Sequence, residues 1–200
     1  MSELIISISG MRGIIGENLT PFTAVEYGCA FASYLKGKIN KPGSRLKVCI
    51  GMDGRPSGRM LLSAVTSGLC SCGVDVIELG IVTTPCVAVM VNELKCDGGV
   101  VITASHNPIE YNGIKLLLNN SMAPPVDEAK VIRDAYLNKA FSLTKSIDCG
   151  GVISETRTDD IHIEKVLGIT DKINVGKKGY KVVLDSVNAS GGRVGVKLLE

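Results

Sequence analysis

Arg45-Leu46-Lys47-Val48-Cys49-Ile50 runs into Gly51-Met52-Asp53-Gly54-Arg55-Pro56-Ser57-Gly58, then into a segment carrying Leu61, Leu62, Val65, Leu69 and Cys70 before Gly73. The first six residues predict a strand. The apolar residues of the last part recur at helical spacing and Gly73 supplies a stop, so 57–72 predicts a helix. Val74 to Leu79 predicts the next strand. A strand, a helix and a strand joined by such short turns make a βαβ unit, whose strands lie parallel under a covering helix.

The same alternation extends outward. Upstream, Leu4 to Ser9 predicts a strand. Pro21 to Lys38 predicts a helix, with Thr20 as its N-cap and Pro21 at its first position; Asn40, Pro42 and Gly43 end it. Downstream, Pro85 to Leu94 predicts a helix, Gly99 to Thr103 a strand, and Val126 to Asn138 a helix after Pro124-Pro125. Cys149-Gly150-Gly151 breaks the pattern. The fold expected over 1–155 is therefore α/β, a sheet with helices on both faces. Over 156–200 the expectation is a connecting helix, Thr158 to Leu167, a turn over Asn174 to Gly179, a strand over Tyr180 to Leu184 and a helix from Arg193. That is an incomplete second α/β unit, expected to be the truncated start of another domain.

Of the 200 residues, 22 are Lys or Arg and 20 Asp or Glu, a net charge of +2 without the basic excess that phosphate neutralisation on a nucleic acid requires. The 45% hydrophobic fraction excludes a disordered chain. No basic region opens the sequence as in a signal peptide, and no apolar run nears the roughly 18 residues of a spanning helix. The 7 cysteines are odd in number and sit in apolar stretches such as Val48-Cys49-Ile50, as buried thiols do. Cys70-Ser71-Cys72 does not have zinc-site spacing. A cytoplasmic protein with no membrane or nucleic-acid partner is expected.

The densest polar cluster follows the strand ending at Thr103: Thr103-Ala104-Ser105-His106-Asn107-Pro108, then Tyr111-Asn112-Gly113-Ile114-Lys115. In open α/β sheets ligands bind outside the carboxyl ends of the strands, where this cluster falls. Asn107-Pro108 and Asn112-Gly113 read equally as a structural turn. Ser105 beside His106 suggests a Ser-His hydrolase, but adjacent residues rarely pair as nucleophile and base, no G-x-S-x-G elbow is present, and the other histidine is His162. Three further segments are expected as loops on the same edge: Gly10-Met11-Arg12-Gly13, Gly51 to Gly58, and Thr83-Thr84-Pro85. Arg12, Arg55 and Lys115 would then converge on the Ser105 hydroxyl, offering the cations and nucleophile of phosphoryl transfer. For Arg55 alone, the competing expectation is a salt-bridged side chain.

At these residues the chain resembles the α-D-phosphohexomutases, the superfamily of phosphoglucomutase, phosphomannomutase and phosphoglucosamine mutase. Thr103 to Pro108 with Asn112 to Lys115 is similar to their phosphoserine loop, Gly51 to Gly58 to their G-x-D-x-R-x-S-G segment, and Met11-Arg12-Gly13-Ile14 to their N-terminal arginine loop. Val182 to Asn188 resembles the opening of their second domain, although Asn188-Ala189-Ser190 stands where Asn-Gly-Ala is usual.

The resemblance implies a mixed, mostly parallel sheet, and a phosphoserine at Ser105 that moves a phosphoryl group between O1 and O6 of a hexose phosphate through a hexose 1,6-bisphosphate. It implies Lys115 as the acid/base or charge-stabilising residue and Arg12 as its assistant, with His106, Asn107, Arg55, Asn112 and Gly113 shaping the loop and contacting phosphate. It implies Mg²⁺ on the Ser105 phosphate, its other ligands on a D-G-D-x-D-R loop that residues 1–200 do not contain. The 200-residue chain is therefore expected not to turn over hexose phosphates alone. The alternatives are a sugar-phosphate-binding module without turnover and a serine hydrolase.

Overall fold

The computed structural model describes residues 3–170 and 178–200. The elements are β1 (Ile5–Ser7), β2 (Gly10–Ile14), α1 (Pro21–Lys38), β3 (Lys47–Met52), α2 (Gly58–Ser71), β4 (Asp75–Ile81), α3 (Thr84–Glu93), β5 (Gly98–Ile102), β6 (Tyr111–Leu118), α4 (Val126–Leu137), β7 (Val152–Ser154), α5 (Thr158–Ile169) and α6 (Gly191–Leu199). The strands form a seven-stranded sheet in the order β1-β2-β6-β5-β3-β4-β7. It is mixed: parallel through β5, β3, β4 and β7, antiparallel through β1, β2, β6 and β5.

Alternation along the strands produces two cores. Val48 and Ile50 of β3, Val100 and Ile102 of β5, and Ile114, Leu116 and Leu118 of β6 face a cluster completed by Phe31 and Leu35 of α1, Leu61 and Leu62 of α2, and Ile132 of α4. Their neighbours Cys49, Val101 and Leu117 point to the other face, packing with Val87, Met90 and Val91 of α3. Helices cover both faces, as expected for an α/β sheet.

Local chemistry sets the helix starts. At α1, Thr20 Oγ1 accepts from the Thr23 amide at 3.3 Å while the Thr23 hydroxyl oxygen accepts from the Thr20 amide at 2.9 Å, a reciprocal cap with Pro21 just inside it. At α3, Thr83 Oγ1 accepts from the Cys86 amide. All seven cysteines are free, five of them buried. Among the described residues no helix is long and apolar enough to cross a membrane.

Three expectations are corrected. Residues 10–13 are not a loop but most of β2, paired with β6 so that Met11 lies across from Ile114 and Arg12 across from Gly113. Residues 4–9 split accordingly, β1 covering only 5–7 before a hairpin turn. Gly10 makes this possible: its φ is +111°, and a β-carbon there would collide with the carbonyl of Ile114. Asn112-Gly113, whose composition suggests a turn, lies inside β6, where Asn112 is wholly buried. The strand expected over 180–184 has no ladder partner among the described residues, and its Val183 is almost fully exposed. With no neighbouring strand, the exposed amides there bond to water instead of into a ladder.

Strand β7 and the position of α5 add to what periodicity indicates. Val152 to Ser154 pair in parallel with Val76 to Glu78 of β4. α5 packs against α3, with Thr158 and Ile163 buried and the Cys86 thiol donating to the Thr158 carbonyl. α6 is tied to α5 by the ion pairs Arg193–Asp159 and Lys197–Asp160. The expected turn over 174–179 lies mostly outside the described residues.

Candidate active site

The loops after β3 and β5 leave adjacent strands of the parallel part of the sheet at their carboxyl ends, and β5 is also where pairing turns antiparallel. Residues 103–110 form the second of these loops. Thr103 is buried, and its amide donates to the Gly113 carbonyl at 3.0 Å, holding the loop's base to β6. Its Oγ1 accepts from the Ser105 amide at 3.0 Å. The Asn107 amide and its Nδ2 both donate to the Ala104 carbonyl, at 3.1 and 2.7 Å, closing a turn over 104–107.

Ser105 stands exposed on that turn with φ +56°. A left-handed conformation costs a residue with a β-carbon roughly 1–2 kcal/mol, so it persists only where its surroundings impose it. Here they do. The Arg55 guanidinium reaches over from the β3 loop and donates to four carbonyls: Ser105 at 3.0 Å, Asn107 at 2.6 Å, Pro108 at 2.7 Å and Tyr111 at 2.9 Å. Its Nε faces Asp53 Oδ2 at 3.3 Å, and Asp53 Oδ1 accepts from the Arg55 amide. Arg55 is thus neither a free cation nor an exposed surface ion: its donors are occupied in fixing the loop.

Arg12, Ser105, His106 and Lys115 line one cavity of about 200 Å³, with Thr103 and Ser9. Register explains the grouping. Met11 pairs with Ile114 and both face the α1/α2 core, so Arg12 and Lys115, each one residue on, share the other face of the β2–β6 ladder. Gly113 lies directly across from Arg12, and a β-carbon there would sit 2.8 Å from the carbonyl oxygens of both Met11 and Thr103. Neither Arg12 nor Lys115 makes an ion pair among the described residues. Two unpaired cations beside an exposed hydroxyl suit an anion carried on that hydroxyl.

Asn112 does not reach this cavity. Its Nδ2 donates to Ser57 Oγ at 2.9 Å and its Oδ1 accepts from the Gly113 amide, tying β6 to the start of α2. Ser57 itself has helical backbone angles, φ −80° and ψ −4°, instead of the extended ones of a capping serine, and makes no cap hydrogen bond to α2. His106 lines the cavity, but its ring makes no hydrogen bond to Ser105 Oγ, so no Ser-His pair is assembled. Sequence reasoning gave no site role to Thr103 or Asp53, whose hydroxyl and carboxylate orient Ser105 and Arg55. The Asp53-x-Arg55 spacing was the available signal for the second of these.

Among the described residues no group of three His, Cys, Asp or Glu is placed to hold a metal ion. In the cavity that Ser105 shares with Arg12 and Lys115 the charged side chains are cationic, which does not suit Mg²⁺. A phosphate on Ser105 would be its one ligand from these residues.

Residues 4–143 match the family described as phosphoglucomutase/phosphomannomutase, alpha/beta/alpha domain I. A phosphoglucomutase/phosphomannomutase of Thermococcus kodakarensis is 40% identical over 185 residues, covering 91% of this chain and 39% of that protein. A phosphoglucosamine mutase of Alkaliphilus oremlandii is 39% identical over 192 residues, covering 96% and 42%. Among solved structures, a phosphoglucomutase/phosphomannomutase family protein of Burkholderia thailandensis superposes with a TM-score of 0.67 at 28% identity, over 82% of this chain and 36% of that one. Parafusin from Paramecium, at 17% identity, shares the fold with a TM-score of 0.74 over 99% and 43%. The chain spans about two fifths of the length of the curated relatives it matches.

Proposed function

The chain belongs to the phosphoglucomutase/phosphomannomutase family, and from that premise we propose that it is the phosphoryl-carrying part of a hexose-phosphate mutase, with Ser105 as the carrier. The observation that carries this reading is the single cavity in which the exposed Ser105 meets the unpaired Arg12 and Lys115. In the proposed cycle a sugar hydroxyl attacks the phosphorus of phosphoserine 105. The bond from Ser105 Oγ to phosphorus breaks, and the hydroxyl proton leaves the attacking oxygen. The product is a hexose 1,6-bisphosphate. After it turns in the site, Ser105 Oγ takes its other phosphoryl group and an isomerised hexose monophosphate departs.

Each residue has a task set by its position. Arg12 and Lys115 offset charge on the phosphoryl oxygens, and Lys115 is the candidate to exchange a proton with the reacting oxygen. The backbone around Ser105, held by Arg55 and Thr103, keeps Oγ in place through both transfers, so little reorganisation accompanies reaction. His106 and Asn107 contact phosphate from the loop itself. When bound, Mg²⁺ would neutralise phosphate charge; the residues described here do not by themselves make its site.

Intact-mass analysis tests the proposal. The full-length protein exposed to a hexose 1,6-bisphosphate should gain one phosphoryl group that maps to Ser105 and is absent from Ser105→Ala. A label mapping to another residue, or none, would refute the assignment. A binding module without turnover would bind hexose phosphate yet leave Ser105 unlabelled.

A further inference from the structure

Ser105 lines a second cavity as well, of about 250 Å³, and is the one residue common to both. The far wall of this second cavity is the turn Val187-Asn188-Ala189. That turn approaches the β3 loop closely: a β-carbon on Gly54 would lie 3.5 Å from Ala189 Cα and from the Asn188 carbonyl oxygen. The Asp185 carboxylate accepts from the Val187 amide at 2.8 Å, and the Ala189 amide donates to the Ser186 carbonyl at 2.8 Å. Between them Val187 and Asn188 are both left-handed, with φ +47° and +56°. A β-branched residue seldom adopts that conformation.

The two cavities differ in charge. The first holds two cations without ion-pair partners among the described residues. In the second, Asp53 and Arg55 are paired with each other, and the remaining lining residues are neutral. The Arg55 donors already serve carbonyls of the loop, and Asn107 Nδ2 serves the Ala104 carbonyl. The Asn188 carboxamide makes no hydrogen bond among the described residues. It is therefore a side-chain donor on this side of Ser105 with no partner of its own among the described residues. A phosphoryl group offers three strong acceptor oxygens, and cations in one cavity can face only part of it.

We propose that Asn188 is a further binding residue of the site, its carboxamide N–H donating to the phosphoryl group on Ser105 from the second cavity while Arg12 and Lys115 face that group from the first. The inference rests on the Ser105 carrier role proposed above. It adds a contact from residues 185–189, about eighty positions further along the chain than the serine.

The test compares Asn188→Gly and Asn188→Asp with wild type in the full-length protein, measuring the rate at which glucose 1,6-bisphosphate labels Ser105. Glycine tolerates the left-handed backbone, so Asn188→Gly removes the carboxamide without imposing strain. Aspartate keeps the shape but replaces a donor with a negative charge. Labelling should slow about tenfold in Asn188→Gly, the scale of one hydrogen bond to a charged group, and further in Asn188→Asp. Asn188→Gln, which retains the donor, should recover part of the Gly loss. Wild-type rates in both Asn188→Gly and Asn188→Asp, or equal losses in all three variants, would overturn the inference while leaving the carrier role standing. Failure of wild type itself to label would overturn both.

Discussion

The carbonyl oxygen of Ser105 accepts from Nη2 of Arg55 at 3.0 Å, across fifty positions of sequence. The same guanidinium donates to two more carbonyls of that loop and to that of Tyr111 at the start of β6, and it faces Asp53. The left-handed conformation of Ser105 is thus set largely from the neighbouring strand's loop. Arg55→Lys keeps the charge but loses the planar fork, leaving carbonyls of the loop without a donor. The expected cost is about 1–3 kcal/mol in urea unfolding, with labelling of Ser105 slowed at least about tenfold. Wild-type labelling in that variant would show that the turn holds its shape without the fork.

Arg12 and Lys115 present the opposite case, cations with no ion-pair partner among the described residues. Arg12→Gln and Lys115→Gln should each change unfolding free energy by no more than about 0.5 kcal/mol. Phosphoryl transfer to Ser105 should fall about a hundredfold in either, the scale seen when one charge-stabilising donor is removed. A variant that loses stability and labelling together would place its side chain in the fold instead of the chemistry.

Gly10→Ala probes the hairpin that delivers Arg12. Alanine would have to adopt φ +111° and push its methyl into the Ile114 carbonyl, at the β2–β6 junction. We expect a loss of about 2–4 kcal/mol from strain and overpacking, seen as a thermal midpoint lower by roughly 5–15 °C. An unchanged midpoint would mean that the hairpin relaxes without cost.

Stability should also decline on the alkaline side. Burial pushes the Cys86 thiol up to about 12, with the nearby Asp159 carboxylate adding to the shift. Unfolded, the thiol ionises near ~8.5, so the unfolded chain releases its proton first as pH rises. The contribution is complete below that value and is lost progressively as pH climbs toward the folded one. Urea midpoints taken from about pH 7 to about pH 10 should fall, and less steeply in Cys86→Ala. Parallel pH profiles for the two proteins would remove Cys86 as a cause.

Much of this architecture is legible from short-range patterns. The reciprocal cap at Thr20, the cap at Thr83 and the spacing of Leu61, Leu62, Val65 and Leu69 each act within a few residues, and the corresponding helices appear within a residue or two of where the pattern puts them. β2 and β6 were hidden for a related reason. Gly10, Gly13 and Asn112-Gly113 carry the composition of turns, and their strand conformation comes from pairing with one another across a hundred positions. β7 has only three residues and no pattern of its own; it exists because β4 offers it an edge.

The candidate site divides in the same way. The sequence by itself determined which groups were available: a hydroxyl at 105, cations at 12, 55 and 115, and the glycines that let backbones approach. Tertiary structure decided how they are arranged. Strand register put Arg12 and Lys115 on one face beside Ser105, while Arg55 reached four carbonyls and so holds the loop. Capping and periodicity are bonds between near neighbours and leave a mark in the local sequence, whereas a charge's role depends on which distant acceptor takes its hydrogens, and that is settled only when the chain has packed.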